Sequence, residues 1–167
     1  MTQQVFLSFG SNIDRENNIR GGLDALAKQF GQVRLSPVYE SESVGFDGEP
    51  FLNLVAEIHT RLSVGELAQL LRDIEADHGR RRGEKKFSSR TLDIDILTYD
   101  DLVGEHDGVS LPRDEILKHA FVLRPLADLA PQQLHPQLKK SYAALQQEKD
   151  FSDQRLWTVP FHWPTQS

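Results

Sequence analysis

Two acidic residues, Asp93 and Asp95, stand one residue apart within the largely apolar run Thr91–Tyr99. Such a run is typical of a β-strand, in which alternate side chains point to the same face about 6.6–6.8 Å apart. Both carboxylates are therefore expected on one face, while Leu92 and Ile94 face the core. Two carboxylates held at that spacing can bind a pair of hard cations such as Mg²⁺. For this pair alone, an ordinary solvent-facing strand is the alternative interpretation.

The segment that precedes this strand is strongly basic. Residues 79–90 read GRRRGEKKFSSR and hold six basic residues and one acidic residue, in a chain whose net charge is −6. Positive charge concentrated in one segment of an acidic protein indicates a specific polyanion, although a solvated basic loop explains the composition equally well. Arginines next to the two carboxylates favour a polyphosphate bound with magnesium.

Length and composition limit the remaining classes of protein. With 167 residues, 38% hydrophobic and 26% charged, the chain is expected to form a single domain over residues 1–167. The absence of cysteine excludes a disulfide scaffold, a thiolate zinc site and a cysteine nucleophile. The first residues do not predict a secretory signal, and no run of roughly 20 apolar residues could cross a membrane. We therefore expect a cytoplasmic monomer that binds neither membrane nor, given its acidity, nucleic acid.

The hydrophobic pattern predicts six principal elements in the order β-α-β-β-α-β. They are a strand over Val5–Phe9, a helix capped by Ser11 or Asn12 and ended by Gly31, strands over residues 32–39 and Phe51–Thr60, a helix that begins at Ser63, and a strand over Thr91–Tyr99. Ser63 and Glu66 have the spacing of a capping box. A short helix near Asp114–His119 and a less regular C-terminal extension follow.

This order predicts an α+β fold of the ferredoxin-like type, in which a four-stranded antiparallel βαββαβ sheet carries both helices on one face. Such folds host unrelated activities, so the function must be argued from the site. A ferredoxin-like nucleic-acid-binding module is one alternative. It would need exposed aromatic side chains on the strands and a broad basic field, whereas this sheet offers Asp93 and Asp95.

Five segments of the chain resemble the family of 6-hydroxymethyl-7,8-dihydropterin pyrophosphokinases. The most specific is the run from Arg80-Arg81-Arg82 through Phe87-Ser88-Ser89 to Arg90-Thr91-Leu92-Asp93-Ile94-Asp95. The others are Gly10-Ser11-Asn12, Phe51-Leu52-Asn53, Glu75 and Leu123-Arg124-Pro125-Leu126. The resemblance therefore covers most of the chain.

The resemblance implies that ATP, the co-substrate, donates its β,γ-pyrophosphoryl unit to the hydroxymethyl oxygen of the pterin and that AMP leaves. It also implies two Mg²⁺ ions held by Asp93 and Asp95. The implied catalytic residues are Arg80, Arg90, Asp93 and Asp95. The implied ATP contacts are Glu75, Arg80, Arg82, Arg90, Ile96, Arg113 and His119. The implied pterin contacts are Ser41, Val44, Gly45, Phe51, Asn53, Asp93 and Phe121, of which Asn53 would bind the edge of the ring and Phe121 would stack on it.

Several of these residues also have a structural interpretation. An amide in mid-strand, as at Asn53, needs a buried partner or a ligand, and we favour the ligand. Phe121 lies among apolar neighbours and fits core packing almost as well as ring stacking. Phe87 either covers the site or is an exposed apolar tip, and Arg81 is interpreted as a solvated charge. Three histidines without ligand spacing are interpreted as structural: His59, His78 and His135.

Three features depart from the pattern of the family. After Leu111-Pro112 the family usually has His and, six residues later, Arg, whereas this chain has Arg113 and His119. Ser88-Ser89 replaces a turn that contains Gly or Pro, and the acids at positions 40 and 42 stand where Arg and Pro are common. The residues that the resemblance implies for metal and pterin binding still match the pattern. The second hypothesis is therefore a diverged paralogue with an altered substrate or reduced activity.

Overall fold

The computed structural model describes residues 2–42, 48–79 and 91–163. Its strands are β1 Gln3–Ser11, β2 Arg34–Leu35, β3 Val38–Ser41, β4 Phe51–Thr60, β5 Asp93–Tyr99, β6 Gly104–His106, β7 Val109–Leu111 and β8 Leu156–Val159. Its helices are α1 Arg15–Phe30, α2 Val64–Asp77, α3 Glu115–Lys118, α4 Ala120–Leu129 and α5 Tyr142–Glu148. In this part of the chain, no helix combines the length and the apolar character needed to span a membrane. Nine residues discussed above lie outside the described residues: Val44, Gly45, Arg80, Arg81, Arg82, Phe87, Ser88, Ser89 and Arg90.

The main sheet has the strand order β5-β1-β4-β3-β8, and each neighbouring pair is antiparallel. β2 adds to β4, and β6 and β7 form a separate hairpin. The prediction of an α+β fold with an antiparallel sheet is therefore confirmed. The strand expected over residues 32–39 is divided into β2 and β3 at Ser36-Pro37, because proline has no N–H to donate to a sheet ladder. The C-terminal extension contributes β8, a strand that the sequence pattern did not indicate.

One face of the sheet carries α1 and α2. Leu7 of β1, Ala56 of β4 and Ile96 of β5 point into this layer, where the core also contains Leu23 of α1 and Leu71 of α2. Each of these side chains is at most 4% exposed. This layer is the core that the alternation of the strands and the helical spacing predict.

The starts of the two long helices differ in how well the sequence predicts them. At α2 the Glu66 N–H donates to Ser63 Oγ (3.1 Å) and the Ser63 N–H donates to Glu66 Oε1 (2.9 Å), which confirms the capping box. At α1 the predicted caps are wrong, because the residue before the first turn is Asp14. Ser11 and Asn12 instead donate to backbone carbonyls of neighbouring segments, and so they tie the end of β1 to its surroundings.

The opposite face of the sheet is covered by α4 and α5, so the expectation of helices on one face only is wrong. Phe6, Val55 and Leu97 point to this side and form a second core with Leu123 of α4 and Tyr142 of α5. Strands that are buried on both faces have nearly continuous apolar runs instead of strict alternation. The apolar run in β1 is of this kind, and its continuity is the physical reason for the second layer.

The second face ends in a polar region. Beyond the apolar residues, β1 carries Gly10 on this face, paired with Asp93 of β5 on one side and with Asn53 of β4 on the other. Asp95 follows on β5, and its side chain is 26% exposed. We call these four residues, Gly10, Asn53, Asp93 and Asp95, the open end of the sheet.

Two adjacent glycines let α1 approach its neighbours closely. A Cβ atom at Gly22 would lie 3.0 Å from both Leu92 Cδ2 and Phe9 Cε2, and a Cβ atom at Gly21 would overlap the imidazole of His78. A contact of 2.8 Å between His78 Nδ1 and a carbonyl of α2 fixes that ring. Close packing therefore explains why α1 contains two residues of poor helix propensity.

We expect Gly21→Ala to lower the free energy of unfolding by about 1–2 kcal/mol, because overlap with His78 outweighs the gain of about 1 kcal/mol in helix propensity. In a His78→Ala background the same substitution is expected to stabilise the protein, since the obstructing ring is gone. Urea unfolding of the four proteins measures both effects. Equal destabilisation in the two backgrounds would show that His78 is not the obstruction.

Candidate active site

β5 presents Asp93 and Asp95 on one face, as the two-residue period of a strand predicts. Ile94 between them is 4% exposed and lies in the core on the opposite side. Because β1 separates β5 from β4, the glycine at position 10 stands between Asp93 and Asn53 in the register of the sheet. The open end thus brings two carboxylates and one amide together across three strands.

The guanidinium group of Arg113 lies next to this pair of carboxylates. Arg113 Nη2 is 3.6 Å from Asp95 Oδ1, and Arg113 Nε donates to Glu115 Oε1 at 2.8 Å. The backbone N–H of Arg113 also donates to the Leu97 carbonyl at 2.8 Å, which anchors this residue to β5. One cation is therefore shared between a carboxylate of the sheet and a carboxylate of α3.

The environment of Asp95 disfavours its ionised form. Burial raises the pKa of Asp95 well above its usual range, and the neighbouring charge of Asp93 raises it further. Arg113 acts in the opposite direction, while Glu115 and Glu75 add smaller upward shifts to this pKa. Burial and the charge of Asp93 thus outweigh the opposing effect of Arg113 on Asp95, so an added cation would favour the ionised form of this carboxyl.

Two residues predicted to contact ATP, Glu75 and Ile96, differ in their relation to the Asp95 face of β5. The Glu75 side chain on α2 is 9% exposed, and its Oε2 accepts a hydrogen bond from the Ile94 N–H at 2.8 Å. Glu75 therefore contacts the backbone of the strand that carries the two carboxylates. Ile96 is 4% exposed in the core of the α1 and α2 layer, so its side chain cannot contact a ligand on the Asp95 face. A contact of Ile96 with ATP would therefore have to involve its backbone, and it stays a prediction.

The amide of Asn53 has a defined orientation. Its Nδ2 donates to Ser41 Oγ at 2.8 Å and lies 3.5 Å from the Phe51 carbonyl. Its Oδ1 points toward Gly10, where a Cβ atom would lie 3.7 Å from Oδ1 and 3.8 Å from the Phe51 ring. The sequence left a buried partner and a ligand as alternatives for this amide. Ser41 is the buried partner of its nitrogen, and its oxygen is directed over a residue that has no side chain.

His119 and Phe121 form a stacked pair where α3 meets α4. Their ring centroids are 4.7 Å apart and their planes differ by 16°. His119 is the residue before α4, and its carbonyl accepts the N–H groups of Val122 and Leu123. Phe121 is partly buried against the second core, on the side of the sheet that also carries the open end. The ring predicted for the nucleotide and the ring predicted for the pterin are therefore in contact with each other.

The two carboxylates suit a metal ion whose remaining ligands come from a substrate and water. Within residues 2–42, 48–79 and 91–163, no group of three or more His, Asp or Glu side chains is arranged to hold a metal ion. Asp93 and Asp95 would therefore leave most coordination positions open. Mg²⁺ is commonly bound in this way, by one or two carboxylates together with phosphate oxygens and water.

Two side chains near the site were missed by sequence reasoning. Glu115 binds the guanidinium of Arg113, and its only signal was an acid two residues from that arginine. Gln154 contacts the backbone on both sides of His119. Because 34 and 36 residues separate Gln154 from these two partners, no local pattern connects them.

Comparison with known proteins gives one consistent match. The model of the 7,8-dihydro-6-hydroxymethylpterin-pyrophosphokinase (HPPK) family matches residues 6–131. The 2-amino-4-hydroxy-6-hydroxymethyldihydropteridine pyrophosphokinase of Pseudomonas aeruginosa is 36% identical over 135 residues, which are 78% of this chain and 83% of that protein. The enzyme of the same name from Bacillus subtilis is 36% identical over 137 residues, 79% of this chain and 81% of that protein.

Longer proteins also match. The folic acid synthesis protein fol1 of Schizosaccharomyces pombe is 38% identical over 136 residues, which are 79% of this chain and only 18% of that protein. Wild-type HPPK-DHPS of Plasmodium falciparum has a similar fold, with a TM-score of 0.67 at 13% identity over 89% of this chain and 45% of that chain. The chain belongs to the HPPK family, whose members are ATP-dependent enzymes that transfer pyrophosphate to hydroxymethyldihydropterin in folate synthesis.

Proposed function

We propose that the open end of the sheet binds ATP and 6-hydroxymethyl-7,8-dihydropterin together and carries out the transfer of its family. The hydroxymethyl oxygen attacks the β-phosphorus of ATP, the bond to the oxygen shared with the α-phosphorus breaks, and AMP leaves. One observation carries this assignment: Asp93 and Asp95 share a face of the sheet with Asn53, and Asp93 lies in register with Asn53 across Gly10. The family match does not favour the diverged paralogue or the nucleic-acid-binding module.

We assign the metal role to Asp93 and Asp95, with two Mg²⁺ ions as the bound form. When bound, these ions would neutralise the triphosphate and orient its β-phosphorus. The chain contributes a rigid strand that sets the distance between the two carboxylates and a buried Glu75 that holds the backbone of this strand. The raised pKa of Asp95 supports the assignment, since an added cation favours the charged form of this carboxyl.

We assign the phosphate contacts to cationic side chains beside the metal ligands. Arg113 already lies 3.6 Å from Asp95, so its guanidinium is within reach of a phosphate that bridges the metal and this side chain. Arg80, Arg82 and Arg90 of the basic segment have the same proposed role, with Arg80 and Arg90 acting on the transferred group. Positioning and charge neutralisation dominate such transfers, which is why arginines and metal ligands are the proposed catalytic groups.

We assign the pterin to the surface over Gly10. Asn53 Oδ1 would accept a hydrogen bond from a ring N–H, and the hydrogen bond to Ser41 keeps this oxygen directed toward Gly10. The Phe121 ring would form one wall by stacking, and Val44, Gly45 and Phe51 are further proposed contacts of the pterin. This arrangement gives a flat heterocycle one directional polar contact and one apolar face, which is how small-molecule sites fix orientation.

We also propose that the fold is a ferredoxin-like one with additions. A ferredoxin-like sheet is supported by the antiparallel order β5-β1-β4-β3, to which β2, β8 and the second helical layer are additions. The cytoplasmic location and the monomeric state expected from the sequence stay predictions.

Asp93→Asn and Asp95→Asn are each expected to lower kcat at least about 100-fold, because a metal ligand supplies several kcal/mol of charge stabilisation. Asp114→Asn is the matched control, since Asp114 is an exposed acid paired with Lys118, and its activity is expected to stay near wild type. Formation of AMP from ATP and the pterin measures the rate. Turnover by the Asp93→Asn/Asp95→Asn double variant at a tenth of the wild-type rate would contradict the two-metal assignment.

In EDTA, Asp95→Asn is expected to raise the thermal unfolding midpoint, by an amount that grows from about pH 5 to pH 8. Because the folded-state pKa of Asp95 is raised, its protonated form stabilises the fold at low pH, and this contribution is lost as the group ionises with rising pH. Asparagine stays neutral and has no such loss. Thermal unfolding followed by circular dichroism at several pH values measures the difference.

Asp114→Asn is expected to change the thermal unfolding midpoint in the opposite direction in the same experiment. The hydrogen bond from Lys118 lowers the pKa of Asp114, so its ionised form contributes stability at higher pH that is lost as the pH falls. The Asp114 variant is therefore expected to lose a little stability near neutral pH. A difference between Asp95→Asn and wild type that does not depend on pH would contradict the assigned electrostatics.

Arg113→Ala is expected to weaken binding of a magnesium-bound ATP analogue more than His119→Ala does, by up to about 1.5–3 kcal/mol for charged hydrogen bonds. Arginine stays charged at every working pH, whereas histidine gains charge only as the pH falls through neutrality. His119→Arg is therefore expected to flatten the pH dependence of ATP affinity between about pH 6 and pH 8.5. Isothermal titration calorimetry measures these affinities.

Lys118→Ala is the matched control for both cations. Its side chain is 64% exposed and pairs with Asp114, so ATP affinity is expected to stay unchanged. Normal ATP binding by Arg113→Ala would mean that the exchanged residues lie outside the nucleotide site. The diverged paralogue would then become the better hypothesis.

A further inference from the structure

The C-terminal segment that follows α5 contacts the walls of the proposed pterin site, although it lies outside the family match over residues 6–131. β8 pairs with β3 so that Leu156 stands opposite Ser41, the residue that orients Asn53. Two residues before β8, the side chain of Gln154 reaches the junction of α3 and α4. One short segment therefore contacts both the sheet side and the helical side of the site.

The Gln154 amide makes two hydrogen bonds, one on each side of His119. Its Oε1 accepts from the Ala120 N–H at 2.7 Å, and its Nε2 donates to the Lys118 carbonyl at 3.0 Å. A glutamine side chain is suited to this double contact, because it carries an acceptor and a donor on the same plane. The backbone of the His119 junction is thus clamped between two polar atoms of a single residue.

Both backbone groups are left without helical partners by the chain geometry. Ala120 is the first residue of α4, and the first N–H groups of a helix have no partner within it. Lys118 is the last residue of α3, whose final carbonyls are unpaired for the same reason. His119, the residue before α4, provides no side-chain cap. Gln154 supplies from a distance the capping that this junction lacks locally.

Gln154 is itself held in place. Its N–H donates to the Phe151 carbonyl at 2.8 Å, and the Phe151 ring packs against the second core. On the other side β8 begins at Leu156 and is paired along its length with β3. The clamp is therefore anchored on both sides in sequence.

We propose that Gln154 is a positioning residue for the stacked pair of His119 and Phe121, and that it fixes the Phe121 ring as a wall for a flat heteroaromatic ring. The backbone between Lys118 and Ala120 carries His119 and leads directly into Phe121. Fixing that backbone sets the direction in which both rings project. This inference rests on the proposed function, because it takes the ligand of Phe121 to be the pterin.

The test compares Gln154→Ala, Gln154→Glu and Phe121→Ala in the full chain, each with thermal unfolding as a check of folding. Loss of two hydrogen bonds at the junction is expected to raise the KM for the pterin about 5–10-fold, with kcat within about twofold of wild type. Because the junction also carries His119, the affinity for a magnesium-bound ATP analogue is expected to fall no further than it does in His119→Ala. Gln154→Glu keeps the acceptor for Ala120 and loses the donor to Lys118, so a smaller rise is expected. It also provides a second variant should the alanine protein fold poorly.

A double-mutant cycle separates positioning from general support of the fold. If Gln154 acts through Phe121, then Gln154→Ala is expected to have less than about a twofold effect on the KM for the pterin once Phe121 is alanine. An equal effect in both backgrounds would overturn the proposal. Gln132→Ala is the matched control, since Gln132 lines a groove with Gln4, at the opposite end of β1 from Gly10, and no change is expected.

The positioning role of Gln154 and the proposed pterin site can be contradicted by different results. If Phe121→Ala raises the KM for the pterin and Gln154→Ala does not, the positioning role is wrong and the proposed site stands. If Phe121→Ala leaves that KM unchanged, the pterin site itself is wrongly placed. A loss of ATP affinity in Gln154→Ala equal to its loss of pterin affinity would also overturn the proposal, because the clamp would then act on the whole site.

Discussion

The repulsion between Asp93 and Asp95 is the constraint on which the rest of the site depends. A strand sets the spacing of the two carboxylates, and a sheet buried on both faces keeps this strand from relaxing. The neighbours then determine how much of the negative charge is balanced: Glu75 holds the backbone of the strand, and Arg113 supplies a cation that it shares with Glu115. Arg113 therefore offsets part of the effect of Asp93, yet burial together with Asp93 still raises the pKa of Asp95.

The two layers of helices have different consequences for the site. α1 and α2 cover their face of the sheet and so provide the rigid support from which Asp93 and Asp95 project. α4 and α5 cover the apolar part of the opposite face, and the residues of the open end are not among the members of this second core. Since α4 begins at Ala120, the same helix that closes the second core also carries Phe121, which stacks on His119. Core packing and the proposed pterin contact therefore depend on one helix end.

The sequence predicts those parts of the molecule that follow from local periodicity. The shared face of Asp93 and Asp95, the capping box at Ser63 and the antiparallel sheet all depend on spacings of a few residues. The second helical layer was missed because an apolar run such as the one in β1 indicates burial without saying on how many faces. The contacts of Gln154 were missed for a different reason, since they join segments that only the tertiary fold brings together.

The exchange of residue types at positions 113 and 119 is matched by the surroundings of each residue. Arg113 keeps its charge at every working pH, and it lies between two carboxylates that stabilise it in the absence of a ligand. A histidine there would lose most of that attraction above neutral pH. At position 119 an imidazole stacks face to face on Phe121, and its backbone is clamped on both sides. The arginine thus stands beside the acids and the imidazole stands against the Phe121 ring, so each type fits the position that it occupies.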